Sequence, residues 1–327
     1  MNLNNYSYSL PESLIAQKPT IPKDNCRLLI LDKKIQHHKF KNIIEFLKKG
    51  DVLVLNDTKV TYSKIYGQKE TGSKAEVILL KKLKDNIFEA KIKTKNPLIN
   101  TKILFKGGFA KIISQKNIDT FIIELSNIKI LNEAVLPTPP YIKSKIKDSD
   151  YQTIFSKKEG SLAAPTAGLH FTKSLLKKIE QKGIKIVYIT LHVSYGTFKN
   201  IDNIKEYIMD PEYYEISQNS AETINNRSGR LIVCGTTTLK ALETSSKNKK
   251  IIPGNNWSTI FIYPPYNFKS GTDILITNFH LPKSTLILLT CAFGGTKRIL
   301  NAYNTAVKKN YKFYSLGDAM MIYFNNK

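Results

Sequence analysis

Apolar residues along the chain fall into two kinds of segment. Arg27–Asp32 (RLLILD), Asp51–Leu55 (DVLVL), Ile184–Thr190 (IKIVYIT), Arg230–Cys234 (RLIVC) and Asp273–Thr277 (DILIT) are short and nearly continuous in apolar residues. That pattern marks strands buried on both faces of a sheet. Between them the spacing turns helical: over Asn42–Lys49 with Gly50 as a stop, over Lys173–Lys182 before Gly183, through Leu239 to Glu243, and over Thr285–Phe293 and Lys297–Lys309. A last strand is predicted near Met320–Phe324. Alternation of this sort is α/β vocabulary, and no internal repeat interrupts it.

From about Val60 to Leu136 the character changes. AEVILL, IFEAKIK, FAKII and TFIIEL are β-branched or aromatic runs parted by Gly, Asn and Lys, with no helical period among them. They predict a small antiparallel barrel or sandwich inserted into the α/β domain, whose exit is the proline-rich Leu136–Tyr141. The boundaries drawn are 1–59 and 141–327 for the α/β domain and 60–140 for the insert.

Composition narrows the reading. At 327 residues, 42% hydrophobic and 10% aromatic, the chain can build a sizeable core, so disorder does not describe it. The longest apolar run, Leu286–Phe293, is broken by Thr290 and falls far short of the ~20 residues of a membrane span. Met1–Ser9 is polar and lacks the basic and apolar blocks of a secretory signal, which predicts a cytoplasmic protein. Cys26, Cys234 and Cys291 are far apart, without a CxxC or Cys/His cluster, so neither a disulfide framework nor a zinc site is encoded. The net charge is +24, yet only Arg27, Arg227, Arg230 and Arg298 among the 50 basic residues are Arg. Compositional drift of an AT-rich coding sequence and a polyanionic partner both account for such a lysine excess.

Four of the predicted strands run into polar segments at their C-terminal ends, where ligands bind in open α/β sheets. These are Asn56-Asp57-Thr58-Lys59, Leu191–Phe198 (LHVSYGTF), Gly235-Thr236-Thr237-Thr238 and Asn278-Phe279-His280-Leu281-Pro282. Singly, each has an ordinary explanation: an N-cap for the threonines, an Asx turn for Asp57, a satisfied turn for Asn278 and His280. Ala163–Phe171 (AAPTAGLHF) adds small residues that permit close backbone approach. No GxGxxG, Walker A, GxSxG or HExxH pattern is present, which removes the commonest nucleotide, hydrolase and zinc-protease readings.

At these residues the sequence resembles the S-adenosylmethionine:tRNA ribosyltransferase-isomerases of queuosine biosynthesis. The matching motifs are YSYSLPESLIAQKPTIPKDNCR (Tyr6–Arg27), GDVLVLNDTKV (Gly50–Val60), LPTPPYI (Leu136–Ile142) and AAPTAGLHFT (Ala163–Thr172). They continue with TLHVSYGTF (Thr190–Phe198), CGTTTLKALE (Cys234–Glu243), TNFHLPKSTL (Thr277–Leu286) and YSLGDAMMI (Tyr314–Ile322). The resemblance implies a mixed α/β domain with an inserted small antiparallel β-barrel. It also implies transfer and isomerisation of the ribosyl part of S-adenosyl-L-methionine onto 7-aminomethyl-7-deazaguanine at the tRNA wobble position, with release of adenine and methionine. A metal, a membrane and a second copy of the chain are not expected.

A sulfonium acidifies its neighbouring hydrogens, so the reaction needs a base near neutral pKa and a proton donor for departing adenine. The imidazoles inside the motifs are His170, His192 and His280, and Asp57 is the further acid–base candidate. Asn56, Thr58, Thr166, Gly168, Thr197, Thr236, Thr237 and Asn278 are expected at S-adenosylmethionine, with the domain carrying them, not the insert, holding the site. Lys59, Lys240, Glu212 and Asp318 are expected at the substrate, and Asp57, Glu212, Asp318, Tyr195 or Phe198 would offset the sulfonium charge. The sequence departs from the family where His-x-Met-His-x-Glu is usual and Tyr207-Ile208-Met209-Asp210-Pro211-Glu212 stands here, and where Lys59, Lys64 and Lys240 replace Arg. Small residues are also usual in place of Ser73 and Tyr195. Those departures motivate one alternative, a tRNA-binding protein of this fold with weakened catalysis. A second alternative, an S-adenosylmethionine-dependent RNA methyltransferase, lacks the Gly-rich loop it needs after the first strand.

Overall fold

The computed structural model describes residues 2–198, 201 and 203–325. The chain forms two compact units, Met1–Lys59 with Pro139–Lys327, and Val60–Thr138.

In the first unit, β1 (Arg27–Leu31), β2 (Ile35–Lys39), a single-turn α1 (Ile43–Phe46), β3 (Val52–Asn56) and the short β4 (Thr58–Val60) come first. The second unit interposes β5 (Lys64–Lys69), β6 (Lys74–Lys84), β7 (Ile87–Lys93), β8 (Lys102–Phe105), β9 (Gly108–Gln115) and β10 (Thr120–Leu125). The first unit then resumes with β11 (Lys158–Ser161), α2 (Lys173–Gln181), β12 (Lys185–Leu191), β13 (Glu212–Ile216), α3 (Gln218–Asn225), β14 (Leu231–Cys234) and α4 (Thr236–Ser245). A small hairpin, β15 (Ser246–Lys247) and β16 (Lys250–Ile251), leads to β17 (Gly254–Ser258), β18 (Ile274–Asn278), α5 (Thr285–Gly294), α6 (Thr296–Lys308) and β19 (Ala319–Tyr323).

Among the described residues the main sheet has nine strands in the order β17-β13-β12-β3-β14-β18-β19-β1-β2. Its centre is parallel: β12, β3, β14 and β18 all run the same way, so their C-terminal ends share one edge. Alternation along each strand feeds two cores. Leu28 and Ile30, Leu53 and Leu55, and Ile232 and Cys234 face α2 through Leu175, Leu176 and Ile179. Leu29 and Leu31, Val52 and Val54, and Leu231 and Val233 belong to the opposite core, built also from α4, α5 and α6. Coverage on both faces is why these strands read as continuous apolar runs.

The second unit is a closed antiparallel barrel in the order β10-β7-β6-β5-β8-β9. Phe88, Ala90 and Ile92 alternate inward along β7, against Ile65, Val77, Ile112 and Phe121. Closure removes the exposed sheet edges. The insert is therefore the barrel and not the sandwich, and β5 and β8 complete it. β5 (KIYGQK) is mostly polar and β8 (KILF) is only four residues long, so neither stands out in the sequence.

Polar edge strands escaped the pattern in the same way. His37 and His38 lie in β2, paired antiparallel with β1. β13 and β17 form the other edge, and β17 (GNNWS) buries only Ser258. The helix expected over Asn42–Lys49 is a single turn, Ile43–Phe46, after a 3-10 turn at Phe40–Asn42.

Candidate active site

At the shared C-terminal edge of the parallel strands lies a cleft of about 310 Å³. Three strand exits supply its polar wall: Val193 beyond β12, Gly235-Thr236-Thr237 at the β14–α4 junction, and Asn278 and His280 at the end of β18. Gly235 has φ +97°, a conformation a side chain disfavours, and it turns the chain from β14 directly into α4. Thr236 and Thr237 thereby begin a helix whose first N–H groups have no intrahelical partner. Thr166, from the 3-10 turn Thr166–His170, closes the wall and donates its hydroxyl to Asn278 Oδ1 at 3.3 Å.

The cleft also has an aromatic lining. Tyr141, Tyr151, Phe279 and Tyr314 line it, with the Tyr141 and Tyr314 rings 4.2 Å apart between centroids. The Tyr141 hydroxyl meets Ser315 Oγ. Tyr314 sits at φ +71°, a strained conformation for a bulky residue, which clusters at functional sites. Among the described residues no Asp, Glu, Lys or Arg lines the cleft. Aromatic faces, not carboxylates, are thus what this lining offers a sulfonium. Tyr141, Tyr151 and Tyr314 belong to stretches around the proline-rich exit and the C-terminal strand, and nothing in their spacing distinguishes them from core tyrosines.

His170 is buried behind the cleft wall. Its Nε2 lies 3.1 Å from Asn278 Nδ2, whose amide also donates to the Tyr314 carbonyl at 3.0 Å, and its Nδ1 lies 3.2 Å from Cys26 Sγ. Since Asn278 Nδ2 is the donor, Nε2 accepts and Nδ1 carries the proton. Burial, with Lys23 nearby, pushes the ring's pKa down to about 4. His280 does line the cleft; Thr277 Oγ1 is 2.8 Å from its Nε2, and burial lowers its pKa to about 3. Both imidazoles are neutral near pH 7.

The remaining expected site residues lie elsewhere. Asn56 does not face the cleft: its amide bonds the Leu191 carbonyl at 2.9 Å and Leu191 N–H at 3.1 Å, tying β3 to β12. Asp57 accepts the Thr190 hydroxyl at 2.6 Å, and Lys59 pairs with Glu159 at 2.8 Å. Thr58 Oγ1 meets His192 Nδ1 at 2.7 Å, away from the cleft, and burial lowers the His192 pKa. Gly168 is buried in its turn, where a Cβ would come 2.9 Å from the Phe155 ring. Asp318 accepts the backbone N–H groups of Arg27 and Lys312, both at 2.7 Å, and burial raises its pKa. Glu212 and Lys240 form a buried ion pair at 2.5 Å, with Ser194 N–H also on Glu212. They line a small hollow that shares Thr237 and Leu286 with the cleft. Thr197 and Phe198 lie, in their side chains, outside the described residues.

A cleft at the C-terminal edge of a parallel sheet, lined by hydroxyl and amide groups and by tyrosines, defines a small-molecule site in an α/β protein. The chain belongs to the queuosine biosynthesis protein family, whose model matches residues 3–322. It is 44% identical over 335 residues to the S-adenosylmethionine:tRNA ribosyltransferase-isomerase of Thermosipho melanesiensis, covering 99% of this chain and 100% of that protein. Among solved structures it is similar to the S-adenosylmethionine tRNA ribosyltransferase of Thermotoga maritima, at 30% identity, a TM-score of 0.56, and coverage of 97% of this chain and 99% of the other. Among the described residues no group of three or more His, Cys, Asp or Glu is arranged to hold a metal ion, and no helix is long and apolar enough to cross a membrane.

Proposed function

We propose that this chain is an S-adenosylmethionine:tRNA ribosyltransferase-isomerase, and that S-adenosylmethionine occupies the cleft. The observation that carries this is a cleft lining that, among the described residues, joins tyrosine rings to Thr166, Thr236, Thr237 and Asn278 and holds no charged side chain. A sulfonium, repelled by a chain of net charge +24, is accommodated by π faces, while hydroxyls and the Asn278 amide take the polar ribose and adenine edges. His280 is the one imidazole at the cleft, and His170 acts through Asn278. The buried Glu212–Lys240 pair, lining the hollow that shares Thr237 and Leu286 with the cleft, is the charged pair assigned to the acceptor base. The modified guanine at the tRNA wobble position is the acceptor, and lysines meet tRNA phosphates as point charges.

Incubation with S-adenosylmethionine and tRNA carrying 7-aminomethyl-7-deazaguanine tests the reading by mass analysis of nucleosides. Epoxyqueuosine with stoichiometric adenine and methionine is expected. S-adenosylhomocysteine would indicate a methyltransferase, and tRNA binding without adenine release would indicate the catalytically weakened protein. Asn278→Ala should weaken S-adenosylmethionine binding about tenfold, the loss of one or two hydrogen bonds.

A further inference from the structure

Outside the cleft, the polar edge of the main sheet carries three aromatic rings in a row. Trp257, the chain's single tryptophan, is 55% exposed on the edge strand β17, directly across from Tyr213 on β13. Their ring centroids are 5.6 Å apart, edge to face, and the Tyr213 ring lies nearly parallel to His192 at 5.7 Å. His192 is held in that pose from both sides. Thr58 Oγ1 fixes its Nδ1, and its ring rests on Gly160, where a Cβ would come 2.8 Å from Nε2. Gly160, at φ +136°, is in a conformation that side chains disfavour, so the ring packs directly on backbone.

Burial does not explain this row, because Trp257 exposes more than half its surface and neighbours Asn255 and Asn256 are exposed too. Charges of both signs lie by His192, namely Asp57, Lys158 and Glu215, while next to β17 in sequence the exposed charge is positive. The hairpin just before β17 exposes Lys247, Lys249 and Lys250, and the chain has no acidic residue between Glu243 and Asp273. On the same face Glu215 is paired with Lys158 at 2.6 Å. An exposed aromatic ring on a strongly basic chain matches the recognition chemistry of unpaired nucleotides, whose bases stack on rings while cations meet phosphates.

We propose that Trp257, backed by Tyr213 and His192, is a stacking platform for unpaired bases of the RNA loop that delivers the acceptor nucleotide. The proposal rests on the tRNA-modifying activity proposed for the cleft and adds where the loop is held. A paired stem has no free base face to offer, so the platform selects loops over duplex. β13 also bears Glu212 of the hollow beside the cleft, so one strand joins platform and site.

Since Trp257 is the sole tryptophan, its fluorescence reports the platform directly. A short hairpin RNA with an unpaired anticodon-type loop should quench it saturably, and a fully paired duplex of equal length should not. Trp257→Ala should weaken loop binding about tenfold or more, Trp257→Phe should keep most of it, and S-adenosylmethionine affinity should not move. Equal quenching by duplex, or unchanged loop affinity in Trp257→Ala while tRNA is still modified, would overturn the platform and leave the enzyme activity standing. A self-association abolished by Trp257→Ala with no change in RNA binding would overturn it in favour of a second copy at this edge. Failure of the unaltered protein to bind either RNA would remove the tRNA substrate and the platform together.

Discussion

Asn278 Nδ2 bridges His170 Nε2 at 3.1 Å and the Tyr314 carbonyl at 3.0 Å, leaving Asn278 Oδ1 beside the Thr166 hydroxyl at the cleft. The amide is thereby oriented with its acceptor toward the ligand. His170 is a positioning residue in this arrangement, since its Nε2 lone pair is occupied and it does not line the cleft. His170→Phe keeps the ring packing against Phe40 but removes the acceptor. We expect S-adenosylmethionine affinity to fall about tenfold with the pH profile of kcat/KM unchanged. Loss of the acidic limb, the fall in rate at low pH as a base is protonated, would instead make His170 the catalytic base.

The two neutral imidazoles make stability depend on pH. Their folded pKa values, about 4 for His170 and about 3 for His280, lie below the ordinary 6.5, so the unfolded chain binds more protons between those values. Stability is complete above about 6.5 and falls as pH drops toward 4 and then 3, at about 1.4 kcal/mol per pH unit per histidine. Urea midpoints measured from pH 7 to pH 5 should decline, and His280→Asn should reduce the slope. Equal midpoints over that range would contradict the burial of neutral rings.

Glu212 and Lys240 are both almost wholly buried. Lys240→Ala strands a buried carboxylate, and we expect a loss of about 3–5 kcal/mol in denaturant unfolding. Lys240→Met combined with Glu212→Gln should recover most of it. Non-recovery would mean that the pair contributes packing that neutral side chains cannot replace.

Binding of tRNA through lysines should weaken linearly on a logarithmic salt scale, because each neutralised phosphate releases a counterion. With 46 of the 50 basic residues lysine (50 minus four Arg), contacts are point charges and the slope should persist across tRNA sequences. A salt-independent affinity would mean that base contacts, not phosphates, carry most of the binding.

Tyr207 packs its ring on Phe261 at 5.3 Å, and Asp210 lies against Gly196, where a Cβ would collide with its Oδ2. Both side chains are built into their surroundings where the family usually has histidine. We expect the unaltered chain to turn over, and Tyr207→His with Asp210→His to leave the rate within about tenfold, below the gain typical of restoring a general acid–base group. Turnover seen only in that double variant would show catalysis to have depended on the missing imidazoles.

Much of the α/β unit was legible in the chain. RLLIL, VLVLN, LIVC and ILITN are apolar on both faces because helices cover both sides of the sheet, and burial on two sides leaves a signal that needs no context. Thr172 and Ser284 announce α2 and α5 by accepting the N–H groups of Leu175 and Ile287, a bond made within three residues. The polar segments that leave the buried strands, Gly235-Thr236-Thr237 and Asn278-Phe279-His280, are likewise local, and so the polar wall of the cleft could be read.

Tertiary structure alone decided the rest. β2 and β17 are edge strands whose side chains mostly meet water, and β13 buries a glutamate in its alternating positions, so no apolar period marks them. Asn56 and Asn278 look alike as residues ending a buried strand. One is consumed by Leu191, 135 residues away, and the other is turned toward the cleft by His170, 108 residues away. The tyrosine wall joins Tyr141 to Tyr314, and the edge row joins His192 to Tyr213 and Trp257. Such pairings depend on which strands become neighbours. Short-range propensity cannot encode that choice, because it is made by the burial of two cores at once.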